Sequence, residues 1–131
     1  MAGSKEQSIS DAVRRFVLTS LPTVPHLETL LLLWREPRED WAAEQIAARL
    51  YVAPSVAARL ADELCVAELL HCAGEPRRYR CRAEQPALAA LIQALDSTYR
   101  AHLREVTALI HSRADHQAAR FAQAFSWRKK D

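Results

Sequence analysis

The stretch LYVAPSVAARLADELCVAELL, which runs from Leu50 to Leu70, decides how the rest of the chain is interpreted. Pro54 suits the first turn of a helix, because the N–H that proline lacks would have no partner there. Apolar residues then recur at the spacing of one buried helix face: Ala57, Ala61 and Leu64. The stretch therefore predicts a turn at residues 51–53 and a helix from Pro54 to about Ala67.

Three further helices are predicted before this turn. The first runs from about Ile9 to Ser20, and the second begins at Pro25 and ends before Pro37, since proline does not continue a helix. The third covers Trp41 to Leu50, with Asp40 as its N-cap. The turn at residues 51–53 therefore joins two consecutive helices.

Two short strands are predicted after the quoted stretch. The segment LLHC at residues 69–72 is apolar, and YRCR at residues 79–82 alternates between polar and apolar side chains. Gly74 and Pro76 lie between them and indicate a turn. Because side chains alternate across a strand, most arginines of this segment are expected on one face. They are Arg78, Arg80 and Arg82, with Arg77 at the turn. These residues predict a two-stranded hairpin with a basic tip.

The chain after Pro86 contains no Gly or Pro. Apolar residues at helical spacing form a stripe from Leu88 to Ile110. We predict one helix over Ala87 to His111, about 25 residues and roughly 37 Å long. Such a helix extends beyond a small domain, which favours pairing with a second copy of the chain. The expected fold class is therefore mainly α with a small β-hairpin and a long C-terminal dimerisation helix.

Composition limits the class of protein. Half of the 131 residues are apolar, and the 18 basic and 16 acidic residues leave a formal net charge of +2. The whole-chain charge therefore says little about partners, and a nucleic-acid signal must come from local clusters of basic residues. The longest strongly apolar run, Leu30 to Trp34, is much shorter than the roughly 20 residues of a membrane span. We expect a cytoplasmic protein that does not contact a membrane.

Few residue patterns indicate site chemistry. The cysteines match no zinc-binding spacing, and buried reduced thiols are expected: Cys65, Cys72 and Cys81. The less favoured alternative is that Cys72 and Cys81 face each other across the hairpin, where a thiol pair would respond to an oxidant. Acidic and histidine side chains at helical spacing near the C-terminus are too common on solvated helices to predict a metal site. Without a phosphate loop or nucleophile motif, we predict neither an enzyme nor a cofactor.

The order of helices, turn and hairpin resembles that of a winged-helix domain. The segment WAAEQIAARLYVAPSVAARLADELCVAELL (Trp41–Leu70) resembles the helix-turn-helix of MarR-like and related bacterial transcriptional regulators, and HCAGEPRRYRCR (His71–Arg82) resembles their wing. The resemblance implies a flexible tail at residues 1–8, a winged-helix domain at 9–85 and a C-terminal helical dimerisation region at 86–131. The sequence departs from the pattern at Tyr51 and Glu68, where such regulators usually carry Gly.

The same resemblance implies that the helix from Pro54 enters the major groove of DNA and that the hairpin lies beside it. The residues expected to contact DNA are Ser55, Val56, Arg59, Leu60, Arg77, Arg78, Arg80 and Arg82. Base readout needs donors and acceptors, and Arg59 is the strongest candidate on the helix. If α-helical readout applies, Val56 and Leu60 face outward and touch thymine methyl groups; the alternative is that both side chains are packed and that Ser55 caps the helix. The hairpin arginines are expected to contact phosphates.

Three functions remain open at the level of sequence. The first is a transcriptional regulator that binds duplex DNA as a homodimer, which the hairpin arginines favour. The second is a winged-helix protein-interaction module, in which Val56 and Leu60 contact a partner protein; the acidic Asp62 and Glu63 favour it. The third is a small-molecule sensor with a ligand between the helices of the dimer, for which the sequence specifies no ligand.

Overall fold

A computed structural model describes residues 9–36 and 40–113 of the chain. In chain order the elements are α1 (Asp11–Ser20), α2 (Val24–Arg35), β1 (Trp41–Ala42), α3 (Ala43–Leu50), α4 (Pro54–Val66), β2 (Leu70–Ala73), β3 (Arg78–Cys81), α5 (Pro86–Ala101) and α6 (residues 103–113). The described part is mainly helical with a small antiparallel sheet, which confirms this part of the expected fold class. The tail predicted at residues 1–8 lies outside it.

α1 and α2 each begin at a side-chain cap. The Ser10 hydroxyl oxygen accepts the N–H of Val13 at 3.2 Å, and the Thr23 hydroxyl oxygen accepts the N–H of His26 at 3.3 Å. Such caps satisfy N–H groups that have no partner within the helix. α2 packs against α3, α4, α5 and β3, and most of its residues are buried. It is therefore the central helix of the core.

Trp41 begins a short strand, whereas the sequence predicted that it begins a helix. Trp41 lies opposite Tyr79, and Ala42 lies opposite Arg78. The indole of Trp41 is 1% exposed, and its N–H donates to the carbonyl oxygen of Glu36 at 3.2 Å. The helix prediction is wrong here because burial of a large indole with a satisfied N–H outweighs two more helical residues.

The N-terminus of α3 is also capped differently from the prediction. Asp40 was the expected N-cap, but its carboxylate forms an ion pair with Arg78 at 3.1 Å. The N–H of Ala42 donates instead to the side-chain oxygen of Gln45 at 2.8 Å. The acidic residue therefore pairs with the hairpin and does not cap α3, and a glutamine in the first turn satisfies the free N–H.

The sheet has three strands, and β3 lies between β1 and β2. The predicted hairpin is therefore extended by β1, which lies far from it in sequence. In the β2–β3 pair, Leu70 lies opposite Cys81 and Cys72 lies opposite Tyr79. The prediction that Cys72 and Cys81 face each other is wrong, because the turn sets the register two residues away from that pairing.

The two positions where the resemblance expects Gly both have left-handed backbone. Tyr51 ends α3 with a φ of 59°, and Glu68 follows α4 with a φ of 65°. Each is followed by an N–H that donates five residues back: Val52 to the Ala47 carbonyl at 3.1 Å, and Leu69 to the Leu64 carbonyl at 2.9 Å. These bonds satisfy the last carbonyl groups of a helix. The turns thus have the geometry that glycine favours, although the residues differ.

The long C-terminal helix predicted over Ala87 to His111 is interrupted. α5 ends at Ala101, and His102 leaves helical geometry with φ −135° and ψ 53° before α6 begins. Val106 and Ile110 on α6 are 0% and 1% exposed. A straight helix would carry these side chains beyond a small core, so the break allows them to be buried. The prediction of one continuous helix is therefore wrong.

One hydrophobic core includes residues from Ile9 to Ile110. α5 packs against α1 and α2, so this core crosses the boundary predicted between residues 85 and 86. Within the described residues, no single helix is both long enough and apolar enough to cross a membrane. The domain division stays a prediction, because residues 114–131 of the second region lie outside the described part.

Candidate functional site

The outward face of α4 holds three of its four predicted contact residues. Ser55 and Arg59 are exposed, and Val56 is half-buried. Leu60 is 3% exposed, so the prediction that it faces outward is wrong. The physical reason is the width of the buried stripe, since a helix that packs on a core buries positions i, i+3, i+4 and i+7. In α4 these positions are Ala57, Leu60, Ala61 and Leu64.

The N-terminus of α4 has no side-chain cap. Ala53 occupies the cap position, and Pro54 follows in the first turn. The N–H groups of Val56 and Ala57 both donate to the Ala53 carbonyl at 3.0 Å. Ser55 is exposed beside them. Its hydroxyl therefore does not cap α4 and is accessible to an anion from outside.

The hairpin arginines differ in their partners. Arg77 pairs with Asp62 at 3.0 Å, and Arg78 pairs with Asp40 at 3.1 Å. Arg80 is exposed, and its side chain has no ion pair or hydrogen bond with any residue among 9–36 and 40–113. Arg78 and Arg80 are exposed, and Tyr79 and Cys81 are buried, which confirms the predicted alternation along β3.

Arg82 departs from the predicted face. It follows the last residue of β3, and its side chain is half-buried. Its backbone N–H donates to the Leu69 carbonyl at 3.2 Å. Its Nε atom is buried without a hydrogen-bond partner in the described part of the chain. Arg82 is therefore less accessible to a partner than Arg80, and alternation alone did not predict this because the strand ends one residue earlier.

Asp62 connects the middle of α4 to the hairpin. One of its carboxylate oxygens accepts a hydrogen bond from Arg77 at 3.0 Å and another from the Tyr79 hydroxyl at 2.7 Å. Tyr79 is 2% exposed, and burial raises the pKa of its hydroxyl, which keeps it a hydrogen-bond donor. Sequence reasoning treated Asp62 only as a negative charge on the outward face. Its partners lie more than a dozen residues away along the chain, so no local pattern revealed this role.

Glu63 makes a second internal connection. Its carboxylate lies 2.6 Å from Nε2 of His26, and Nδ1 of His26 lies 2.6 Å from the Thr23 hydroxyl. His26 is 6% exposed, so Glu63 holds a buried ring on α2. The acidic pair on α4 therefore stabilises the position of α4. Its charge is weaker evidence against an anionic partner than the sequence alone indicated.

The three cysteines are free thiols, and two of them have low reactivity. Cys65 and Cys72 are half-buried, and Cys81 is buried. Burial, together with a hydrogen bond that the Cys65 thiol donates to Cys72, raises the pKa of Cys65 to about 12, and burial raises the pKa of Cys81 to about 11. Since the thiolate is the nucleophile, these two groups are weak nucleophiles near neutral pH. No group of three or more His, Cys, Asp or Glu within the described ranges is arranged to hold a metal ion.

Comparison with known proteins adds information on the fold. No family model and no curated protein matches the sequence. The chain is similar to a solved crystal structure, that of RV1404 from Mycobacterium tuberculosis, with a TM-score of 0.52 and 16% sequence identity. The likeness covers 99% of this chain and 87% of that one. It extends over nearly the whole length of both chains, and at this identity it concerns the fold alone.

Proposed function

We propose that the chain is a DNA-binding transcriptional regulator with a winged-helix fold, which acts as a homodimer in the cytoplasm. The observation that carries the proposal is the pair of exposed arginines Arg59 on α4 and Arg80 on β3. Neither guanidinium has an ion pair or hydrogen bond with any described residue. Unpaired arginines on a helix and an adjacent hairpin suit the phosphates and base edges of duplex DNA.

In the proposed complex, α4 enters the major groove and the hairpin contacts the neighbouring phosphates. The hydrogen bond that the Tyr79 hydroxyl donates to Asp62 supports this arrangement, because it keeps β3 next to α4. The exposed Ser55 at the start of α4 adds a hydroxyl donor for a phosphate. With Leu60 buried, few groups remain for base readout, and we expect affinity to depend mainly on phosphates.

Fluorescence anisotropy with a labelled random duplex tests the proposal. Arg59→Gln and Arg80→Gln should each weaken binding roughly eightfold at ~0.1 M salt, because each removes about one released counterion. The slope of log affinity against log salt should fall by about one for each variant. Arg14→Gln is the matched control, since Arg14 is an exposed arginine on α1, outside the proposed surface. This control should bind like the unmodified protein.

Absence of binding to random and genomic duplexes at low salt would contradict the proposal. The protein-interaction module would then be the better hypothesis, but only one of its two predicted apolar contact residues is accessible. Leu60 is buried, which leaves half-buried Val56 as the predicted contact on that face. A single half-buried valine is a small apolar surface for a partner protein. DNA binding is therefore the function that the described geometry favours.

A further inference from the structure

A large cavity lies between the C-terminal end of α2, the sheet and the residues that precede α5. Its volume is about 760 Å³. Buried residues form its inner wall: Leu33, Trp41 and Cys81, which are 1%, 1% and 8% exposed. The half-buried Trp34 adds a second indole to the lining. Its volume is within the range of pockets that hold small organic molecules, and its apolar aromatic wall is typical of them.

The polar groups of the cavity leave one charge without a partner. Nε2 of His71 lies 2.6 Å from the Glu84 carboxylate, and both residues line the cavity. The hydrogen bond from His71 lowers the pKa of Glu84 below its ordinary value, so the carboxylate is charged and engaged. Arg80 also lines the cavity, and its guanidinium has no ion pair in the part of the chain that the structure describes. Arg80 is therefore the charged side chain of the lining that no described residue engages, and its guanidinium is available to an acidic group of a ligand.

We propose that this cavity binds a bulky aromatic organic anion, whose rings lie against the half-buried Trp34 and whose acidic group pairs with Arg80. Aromatic rings pack favourably against indoles, and guanidinium pairs strongly with carboxylate, sulfonate or phosphate groups. A single benzene ring would leave most of the volume empty, so the class of ligand is one with fused or linked rings. The inference does not depend on DNA binding and is tested without DNA.

The probe is anilinonaphthalene sulfonate, an anion with linked aromatic rings, and phenylnaphthylamine is its neutral analogue. We expect the sulfonate to bind saturably at one molecule per chain and more tightly than the neutral dye. Binding should quench tryptophan emission by energy transfer, because two of the chain's three tryptophans line the cavity. Near-UV circular dichroism should retain its native signal, which distinguishes a site from a loosened core.

Two variants locate the dye. Arg80→Gln should weaken sulfonate binding roughly tenfold, since one charge-assisted contact is lost, and should leave the neutral dye unaffected. Arg14→Gln is the matched control, because Arg14 is an exposed arginine outside the cavity, and it should bind both dyes normally. Ala83→Trp adds a bulky group at an exposed lining position, and it should weaken both dyes.

Three results would overturn the proposal. The first is equal affinity of the two dyes for the unmodified protein, which would show that the acidic group of the ligand does not contribute to binding. The second is unchanged sulfonate binding in Arg80→Gln, which would remove the assigned charge partner. The third is undiminished binding of both dyes to Ala83→Trp, which would put the dye outside this cavity.

Discussion

Tyr51 and Glu68 each hold a backbone conformation that glycine adopts without strain and other residues adopt at a cost. A left-handed conformation costs a residue with a Cβ roughly 1–2 kcal/mol. Tyr51 is 93% exposed, so its side chain recovers little of that cost by packing. Glu68 is also exposed. The turns on both sides of α4 are therefore strained, and packing of these two exposed side chains does not offset the strain.

Replacement of Tyr51 or Glu68 by Gly should stabilise the protein. We expect Tyr51→Gly and Glu68→Gly each to raise the free energy of unfolding by about 1 kcal/mol, because the left-handed strain is removed. Urea denaturation followed by circular dichroism measures the change. Ala48→Gly is the control, since Ala48 is an exposed position inside α3, and it should destabilise by about 1 kcal/mol. A loss of stability in both turn variants would contradict the interpretation.

At the scale of elements, the contact between α4 and the hairpin determines which arginines are available. Asp62 on α4 engages Arg77, and Asp40 before β1 engages Arg78. Both pairs are about half-exposed, so each contributes little to stability. Their main consequence is electrostatic, because a carboxylate beside an arginine competes with a phosphate for it. The hairpin therefore presents less positive charge than its sequence indicates.

Asp62→Asn should strengthen DNA binding. Asparagine keeps an oxygen that accepts the Tyr79 hydroxyl, but it lacks the charge that holds Arg77, so Arg77 becomes available to a phosphate. Affinity for a random duplex should rise by up to roughly eightfold at ~0.1 M salt, with a steeper salt dependence. Asp11→Asn is the control, because it removes one exposed carboxylate from α1, remote from the proposed surface. Weaker DNA binding by a folded Asp62→Asn protein would contradict the view that Asp62 competes with a phosphate for Arg77.

Some elements were predictable from the sequence, and others were not because they depend on tertiary contacts. α2 and α4 follow from local signals, namely a proline in the first turn and apolar residues at helical spacing. β1 did not follow, since Trp41 is a strand residue only because Tyr79 lies opposite it. The break at His102 has no Gly or Pro to indicate it. It depends on where the core is available to bury Val106 and Ile110.

The candidate site also has features that local sequence patterns predicted and features that depend on tertiary contacts. Exposure of Arg59, Arg78 and Arg80 was predictable from periodicity, and the structure agrees with it. Burial of Leu60 was not, because periodicity gives the centre of a helix face more reliably than its width. The partners of Asp62 and Glu63 were also out of reach, because each contact joins residues distant in sequence. Local patterns thus identified the arginines, and only tertiary contacts showed which of them are engaged.

At the scale of the whole molecule, the net charge of +2 is too small to give strong DNA binding by one copy. Two copies joined rigidly would bind far more tightly, because the second contact becomes intramolecular. The described part of the C-terminal region has one apolar side chain suited to such pairing. That side chain is Leu103 on α6, which is 54% exposed. The proposed homodimer would bury Leu103 of both copies.

Leu103→Asp should therefore convert the dimer to a monomer, since a carboxylate in an apolar interface is desolvated without a partner. Sedimentation velocity should show one chain's mass of 14.8 kDa for this variant and twice that mass for the unmodified protein. Val66→Asp is the control, because Val66 is 84% exposed at the end of α4 and should leave the dimer intact. The DNA affinity of Leu103→Asp should fall at least tenfold, because the DNA-binding surface of the second copy is lost. An unmodified protein that sediments as a monomer at micromolar concentration would rule out this dimer, and the arginine surface would then act from a single chain.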